Sequence, residues 1–430
     1  MVKNLKKYCK MSQKQSKNKH FSYNLQKKSK KSLIFVIIIF LFIFTSLTPM
    51  YTFCSNTIYQ LTEDLNGSII QELNEIDFTP LNDIINEFNE TNSNIFSIDN
   101  IKAKIYSIIS GENAINYSNF FASLFSNIIE KLIKYLPILS LIISIGILSN
   151  LLDGMKSKFD EKSTGNIIKL ACLLSVVILI VGAVISISNN AGNSIVAMVE
   201  QMNVLFPILL TLMVGLGAHA SSSAFQPIVA ILSTYIANFF NYFIVPLFMF
   251  SFVFCIISNL SANVKLDKFN SFISGLFKWG VGLVFTIFFA VFSLQGLSAG
   301  SFDSLSIRTT KFTIKSYVPI MGGYLSDGMD LILSSTVLIK NAVGFVGILL
   351  IASTIISPII EIAIFSLMLK LTSAIIQPIG NGKISNFLSS TSKSITMFST
   401  AIIAIGFMYL LSVGLMMTTS NMVALWRGIY

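Results

Sequence analysis

The sequence predicts an all-α, polytopic transmembrane protein with an N-terminal signal, a small extracytoplasmic helical domain and a membrane region built of recurring helical hairpins. Three observations carry that expectation: the composition, the long apolar runs and an internal repeat. Of 430 residues, 53% are hydrophobic and 12% charged, and the mean hydropathy is +0.73. Soluble domains carry roughly 25% charged residues, so this chain lacks the polar surface to cover a globule of its size. A bilayer removes that need. Leu136–Leu152, Ile167–Ile187, Val281–Leu294 and Ile395–Met417 each approach the ~20 apolar residues that cross a hydrocarbon core of about 30 Å.

The net charge of +10 is unevenly spread. Eleven lysines, from Lys3 to Lys31, precede the first apolar run with no acid among them. A basic arm of this kind can bind nucleic acid, but directly before Leu33–Phe44 it reads as the positive flank that keeps an export signal's start in the cytoplasm. Residues 1–54 are therefore assigned to arm and signal. Cleavage near Cys54–Ser55 and retention as an uncleaved first helix both fit, since no A-x-A-like site is present. Cys9, Cys54, Cys172 and Cys255 are scattered without metal or redox spacing, which supports neither a zinc site nor a disulfide framework.

Residues 55–134 are acidic instead. Acids such as Glu63, Asp64, Glu72, Glu75, Asp83 and Glu87 outnumber Lys102, Lys104, Lys131 and Lys134. Apolar residues recur at helical spacing at Leu61, Leu65, Ile69 and Leu73 and again at Leu81, Ile84, Ile85 and Phe88. Thr79-Pro80 opens a helix with a cap residue followed by proline at the first position. A small helical domain follows, placed outside by the signal.

The polytopic region, 135–430, repeats itself near 135–187, 244–297 and 357–416. Pro137, Ser149-Asn150-Leu151 and Lys158-Phe159 are matched by Pro246, Ser258-Asn259-Leu260 and Lys268-Phe269; Pro358, Thr372-Ser373 and Lys383-Ile384 form the third set. The hairpins recur about every 110 residues. Their inner loops carry Lys156, Lys158 and Lys162; Lys265, Lys268 and Lys278; and Lys383 and Lys393, which assigns all three to the cytoplasmic side. The connectors then lie outside. The first, around Ser188–Tyr242, has only Glu200 and His219 as ionisable residues. Its two apolar pieces, Val204–Ala218 and Phe225–Tyr242, fit a short transmembrane pair or a re-entrant hairpin. The second connector breaks the charge rule with Arg308, Lys311 and Lys315.

No catalytic constellation is present: G-x-S-x-G, H-E-x-x-H and a phosphate-binding glycine loop are all missing, and the two histidines are His20 and His219. No cofactor is expected, and the chain reads as a non-enzyme. The candidate functional residues are the polar cluster Asp303, Arg308, Lys311, Lys315, Asp327, Asp330, Lys340 and Asn341, with Glu361 and Lys370 as further ionisable residues in the third hairpin. Ionisable groups at membrane depth cost roughly 2.5–3.5 kcal/mol at a helix centre, so they pair or line water. Arg308 or Lys311 paired with Asp303 or Asp327, or a polar ring at a pore mouth, are the functional readings. The structural alternative is an amphipathic helix on the membrane, with Arg308, Lys311 and Lys315 on one face.

Several stretches carry a family resemblance: Gln295-Gly296-Leu297-Ser298-Ala299-Gly300, Arg308-Thr309-Thr310-Lys311-Phe312, Val318-Pro319-Ile320-Met321-Gly322-Gly323, Leu338-Ile339-Lys340-Asn341-Ala342-Val343-Gly344 and Gln377-Pro378-Ile379-Gly380. In these, and in the order of signal, helical domain and polytopic region, the chain resembles the stage III sporulation protein AE family. The resemblance implies a subunit of a transport or secretion-like channel complex that links mother cell and forespore and sustains late forespore gene expression. It further implies residence in the mother-cell membrane around the forespore, with the N-terminal domain in the intermembrane space. The implied partners are the other subunits of the stage III sporulation A complex, indirectly a forespore membrane protein of the stage II sporulation protein Q type, and membrane lipid, with no nucleic acid. A non-conducting scaffold and an intramembrane enzyme are the rival classes. The family brings no catalytic residues. Cysteine reporters at Ser157, Ala262 and Ser385 are expected to react only with a reagent that reaches the cytoplasmic face; labelling from the outer face contradicts the hairpin topology.

Overall fold

The computed structural model describes residues 61–92, 100–111, 117–155, 162–260, 266–317, 322–379 and 382–425. The basic arm, the signal, the loops around Lys158 and Lys265 and the motif residues Val318–Met321 lie outside the described residues. Leu65–Tyr430 form one compact unit; of the other, Met1–Asp64, only the first residues of a helix are described.

Three short amphipathic helices come first: α1 (Leu61–Glu75), α2 (Thr79–Asn92) and α3 (Ile101–Ile109). Asp77 accepts from the Thr79 amide at 2.9 Å, and the Asn100 side chain accepts from the amides of Lys102 and Ala103. Each thus satisfies donors that a helix start leaves open. Hydrogen bonds from Thr79 also hold the Asp77 carboxyl below the usual carboxylate range. Ile69, Leu73, Phe78, Leu81, Ile85, Ile101 and Ile105 are buried, so the helical spacing read from the sequence does face a core.

The rest is a bundle of unusually long helices: α4 (Tyr117–Met155), α5 (Lys162–Gly215), α6 (His219–Phe239), α7 (Val245–Leu260), α8 (Asp267–Tyr317), α9 (Gly322–Ile379) and α10 (Gly382–Leu425). Six stretches among the described residues are long and apolar enough to cross a membrane. No described residue is in a strand, so the chain is an all-α, polytopic membrane protein. Helix α4 passes through Lys134 and Tyr135 without a break. The described helices break at 156–161, 261–266 and 380–381, close to the three expected hairpin loops, but Lys162, Lys268, Lys278, Lys383 and Lys393 lie within α5, α8 and α10 rather than in the loops.

The connectors differ from the sequence expectation. The apolar pieces are not separate elements after a loop: α5 continues unbroken through Ser188–Asn203 to Gly215 and packs against α6 across a tight turn, and α8 continues to Tyr317. Asn189, Asn190 and Asn193 do not end α5, since its buried face keeps the helical period through Ile187, Ala191, Ile195 and Met198. The first connector turns at Leu216–Ala218. Gly217 has φ +75°, its amide bonds the Val214 carbonyl, and the Ala218 amide bonds the Met213 carbonyl. That pair of bonds is a Schellman ending, whose left-handed residue is best a glycine. Between α6 and α7 lies one π-helical turn, Phe240–Ile244, in which the Val245 amide reaches back to Phe240. The next residue, Pro246, has no N–H and its ring crowds the preceding turn, a standard cause of a π-bulge.

Helix α9 is the axis of the bundle. It packs against α3, α4, α5, α8 and α10, and from Leu333 to Ile362 none of its residues is exposed. Its pairing with α10 is the most extensive and is held by small polar residues in reciprocal pairs. The Ser373 hydroxyl donates to the Ser385 carbonyl at 2.8 Å and the Ser385 hydroxyl to the Ser373 carbonyl at 3.1 Å. One heptad further along each helix, Ser366 and Ser392 do the same at 3.2 and 2.9 Å. Small side chains let the backbones approach, and cross-helix hydroxyl bonds hold them there. Ser385 is therefore buried against α9 rather than in the loop, and the exposed Lys383 is the sound position for the third topology reporter.

Farther along the same pair, a Cβ on Gly406 would overlap Ile355, whereas one on Gly182 of α5 would meet nothing. Gly406→Ala is expected to lower stability by about 1–3 kcal/mol through overpacking. Gly182→Ala is expected to leave it unchanged or raise it by up to about 1 kcal/mol. Thermal unfolding of the two purified variants in the same detergent measures the contrast.

Candidate functional site

The most heavily partnered buried charge is Glu361, on α9 one turn after Pro358. Helix α4 brings two consecutive residues to it: Lys134 Nζ donates to Oε1 at 2.6 Å, and the Tyr135 hydroxyl donates to the same oxygen at 2.6 Å. From α5, Asn190 Nδ2 donates to Oε2 at 3.1 Å and Oε1 at 3.3 Å. Glu361 is 2% exposed and Tyr135 1%, while the Lys134 side chain keeps 41% of its surface open. The tyrosine ring packs on Phe365, one turn along α9, with centroids 4.8 Å apart. Three helices thus converge on one carboxylate, whose charge is balanced by an ammonium that still reaches the exterior. Charge-assisted bonds are roughly twice as strong as neutral ones. The arrangement clamps α4, α5 and α9 and offers one ion pair that a partner or solvent can reach from outside.

Sequence reasoning saw Glu361 only as an ionisable residue in the third hairpin and read Lys134 as the end of the acidic domain. Tyr135 and Asn190 were not singled out. The repeat gave no signal for the pair: Lys134 precedes Pro137 by three residues, whereas Glu361 follows the matching Pro358 by three.

The residues of the expected polar cluster have varied surroundings. Asp303 of α8 is 2% exposed and accepts from the backbone amides of Ala220 and Ser221 at 2.8 and 2.9 Å. Ala218 provides no side-chain cap for α6, so Asp303 does that work from 83 residues away. Lys340 is fully buried and donates to the Met417 carbonyl on α10 at 2.7 Å. Asp330 and Asn341 are half-buried on α9. The side chains of Arg308, Lys311, Lys315 and Asp327 lie outside the described residues. Asp303 and Lys340 therefore serve two different helix junctions. Lower down α9, Thr354 accepts from Gln201 Nε2 of α5 at 2.8 Å, and higher up the hydroxyls of Ser335 and Thr336 donate to Glu72 of α1 at 2.5 and 2.9 Å. Among the described residues, no three or more His, Cys, Asp or Glu side chains converge as metal ligands. His219 is exposed at the start of α6.

A family model described as stage III sporulation protein AE matches residues 100–420, most of the chain and all of the long bundle's core. The chain belongs to that family. It is also 24% identical over 326 residues to the stage III sporulation protein AE of Bacillus subtilis (strain 168), covering 76% of this chain and 82% of that protein. No solved structure matches it. The resemblance expected from the Gln295–Gly344 motifs is thereby borne out, and with it a role in sporulation. In this stage III sporulation protein AE family member, the matched region contains all four members of the Glu361 network, together with Asp303 and Lys340.

Glu361→Ala is expected to destabilise the protein most, by about 3–5 kcal/mol, because it strands the Tyr135 and Asn190 donors in the interior and leaves a cavity. Lys134→Met is expected to cost about 3 kcal/mol or less: it leaves the buried Glu361 carboxylate with neutral donors alone, while the opening that Lys134 occupied lets water reach the site. The double variant Lys134→Met/Glu361→Leu should regain part of the loss seen in Glu361→Ala. Thermal unfolding of the three variants in detergent gives the order; equal losses for the single and double variants would contradict a clamp centred on the carboxylate.

Proposed function

We propose that this protein is a membrane subunit of the sporulation channel complex that links mother cell and forespore and sustains late forespore gene expression. It resides in the mother-cell membrane around the forespore, with α1–α3 facing the intermembrane space. Its partners are the other stage III sporulation A subunits and, indirectly, a stage II sporulation protein Q type protein in the facing membrane. The observation that carries this reading is the family match across residues 100–420.

The second reading, a non-conducting scaffold, is favoured by one specific observation: α9 has no exposed residue from Leu333 to Ile362. A single copy fills its own axis with side chains, so any passage for solute runs between subunits. Solute flux through reconstituted complexes, with and without this subunit, separates the two.

The segment from Asp303 to Asn341 is proposed as the functional centre of the polytopic region. Asp303 and Lys340 hold helix junctions, so the functional weight falls on Arg308 and Lys311 of α8. The double reversal Arg308→Glu/Lys311→Glu, placed at the native locus of the spore-forming host, is expected to leave protein levels normal. Heat-resistant spore counts and a late forespore reporter are expected to collapse. Normal spore counts at normal protein level would remove the segment from the mechanism. A fall in protein level and membrane seating would favour the surface amphipathic helix.

A further inference from the structure

We infer that the bilayer embraces only the loop-side halves of α5, α8, α9 and α10, and that their connector-side halves, with α6, stand outside it as a water-facing helical bundle capped by α1–α3.

The lengths require some such division. Helix α5 has 54 residues and α9 has 58. At ~1.5 Å per residue, α5 is about 80 Å long, against a hydrocarbon core of about 30 Å. Fitting all of it within the core would need a tilt near about 68°, beyond the ~0–40° seen for transmembrane helices.

The exposed stripe of α5 shows where the division falls. From the cytoplasmic loop upward its exposed residues include Ile167, Leu170, Leu174, Ile178 and Ile185. On the same face they then become Asn189, Asn193, Glu200, Asn203 and Thr211, with Val196 and Val214 as isolated apolar members. The apolar stripe from Ile167 to Ile185 rises about 28 Å, one hydrocarbon thickness. Other helices change at the same level. Leu367, Leu371 and Ile375 are exposed on α9 near its loop, and Phe250, Val253 and Ile257 on α7. Above them α6 exposes Gln226 and Asn238, and α8 exposes Thr309, Thr310, Thr313 and Ser316, with Phe312 of α8 and Ile332 of α9 as isolated apolar members. The open end of Lys134 and the exposed Tyr242 sit at the change itself, as cationic and aromatic side chains do at a membrane interface.

A second observation points the same way. Helix α1 docks on α9 through Glu72 at Ser335 and Thr336, far up the connector-side half. It exposes Gln71, Asn74 and Glu75 there. A helix with that outer face needs water around it, so α9 at Ser335 is outside the hydrocarbon. The buried Asp303 and Lys340 then belong to the core of an aqueous bundle, where partnered charges are tolerated, and not to the lipid-embedded half.

The test is a thiol-accessibility scan of the full-length protein in native membranes, in a background where Cys9, Cys54, Cys172 and Cys255 are replaced by alanine. Single cysteines at Ile178, Ile185, Asn193, Asn203 and Thr211 are treated with N-ethylmaleimide, which crosses membranes but reacts with thiolate formed in water. Asn193→Cys, Asn203→Cys and Thr211→Cys are expected to react about tenfold faster or more than Ile178→Cys and Ile185→Cys, and all five should react fully after unfolding in sodium dodecyl sulfate. Leu283→Cys and Thr313→Cys repeat the comparison on α8, should any α5 variant fail to accumulate. Protection of Asn203→Cys and Thr211→Cys equal to that of Ile178→Cys overturns the inference, as does a reactive Ile178→Cys. Because the reagent reaches both aqueous sides, the result stands apart from the orientation and the sporulation role proposed above.

Discussion

A carboxylate removed from water has to keep its partners, and Glu361 imposes that condition on three long helices at once. Lys134, Tyr135 and Asn190 each spend their polar atoms on it, so α4, α5 and α9 have one register in which no charge is stranded. A slip of one residue along any of them turns a side chain by about 100° and leaves the carboxylate unpaired. Apolar packing alone would tolerate such slips far better, because Ile, Leu and Val surfaces are interchangeable in volume and chemistry. The ionic network therefore supplies register where the greasy surface supplies only attraction.

Around that clamp, the same logic recurs in neutral form. The reciprocal serine pairs of α9 and α10 lock two helices face to face one heptad apart, and Gly347 and Gly406 let Leu205 and Ile355 come up against the backbone. In lipid there is little hydrophobic drive for helices to associate, so close packing and cross-helix hydrogen bonds carry more of the association. The Schellman turn at Gly217 and the Asp303 cap on α6 then close the first connector with every end group answered that the geometry allows. Ends of long helices that project from a membrane have water available, yet this one is finished by protein, which fixes how α6 leaves α5.

For a sporulation protein, a packed and asymmetric bundle has a consequence. Its centre is α9, enclosed by side chains, and its polar side chains are directed at helix junctions. The family assignment and the architecture agree on a protein that works through assembly.

The sequence by itself determined what depends on composition and short spacing. It determined helices throughout, the positions of the three basic loops, the amphipathic faces of α1 and α2, and the family, through motifs such as Arg308–Phe312 and Leu338–Gly344. Local chemistry suffices for these: a charged, polar stretch interrupts an apolar run and an apolar period faces a core wherever the rest of the chain goes. Only the tertiary structure decided how far each helix runs and which charges meet. Asn189 and Asn190 look like a connector in sequence, but burial of Ile187, Ala191 and Ile195 carries α5 straight through them. Glu361 and Lys134 are 227 residues apart and Asp303 and Ala220 are 83 apart, so no local pattern couples them. Lys340, which along the chain is one member of the polar cluster, is buried because α10 folds back to offer it the Met417 carbonyl. A charge's partner is set by which helices pack together, and that is a property of the whole bundle.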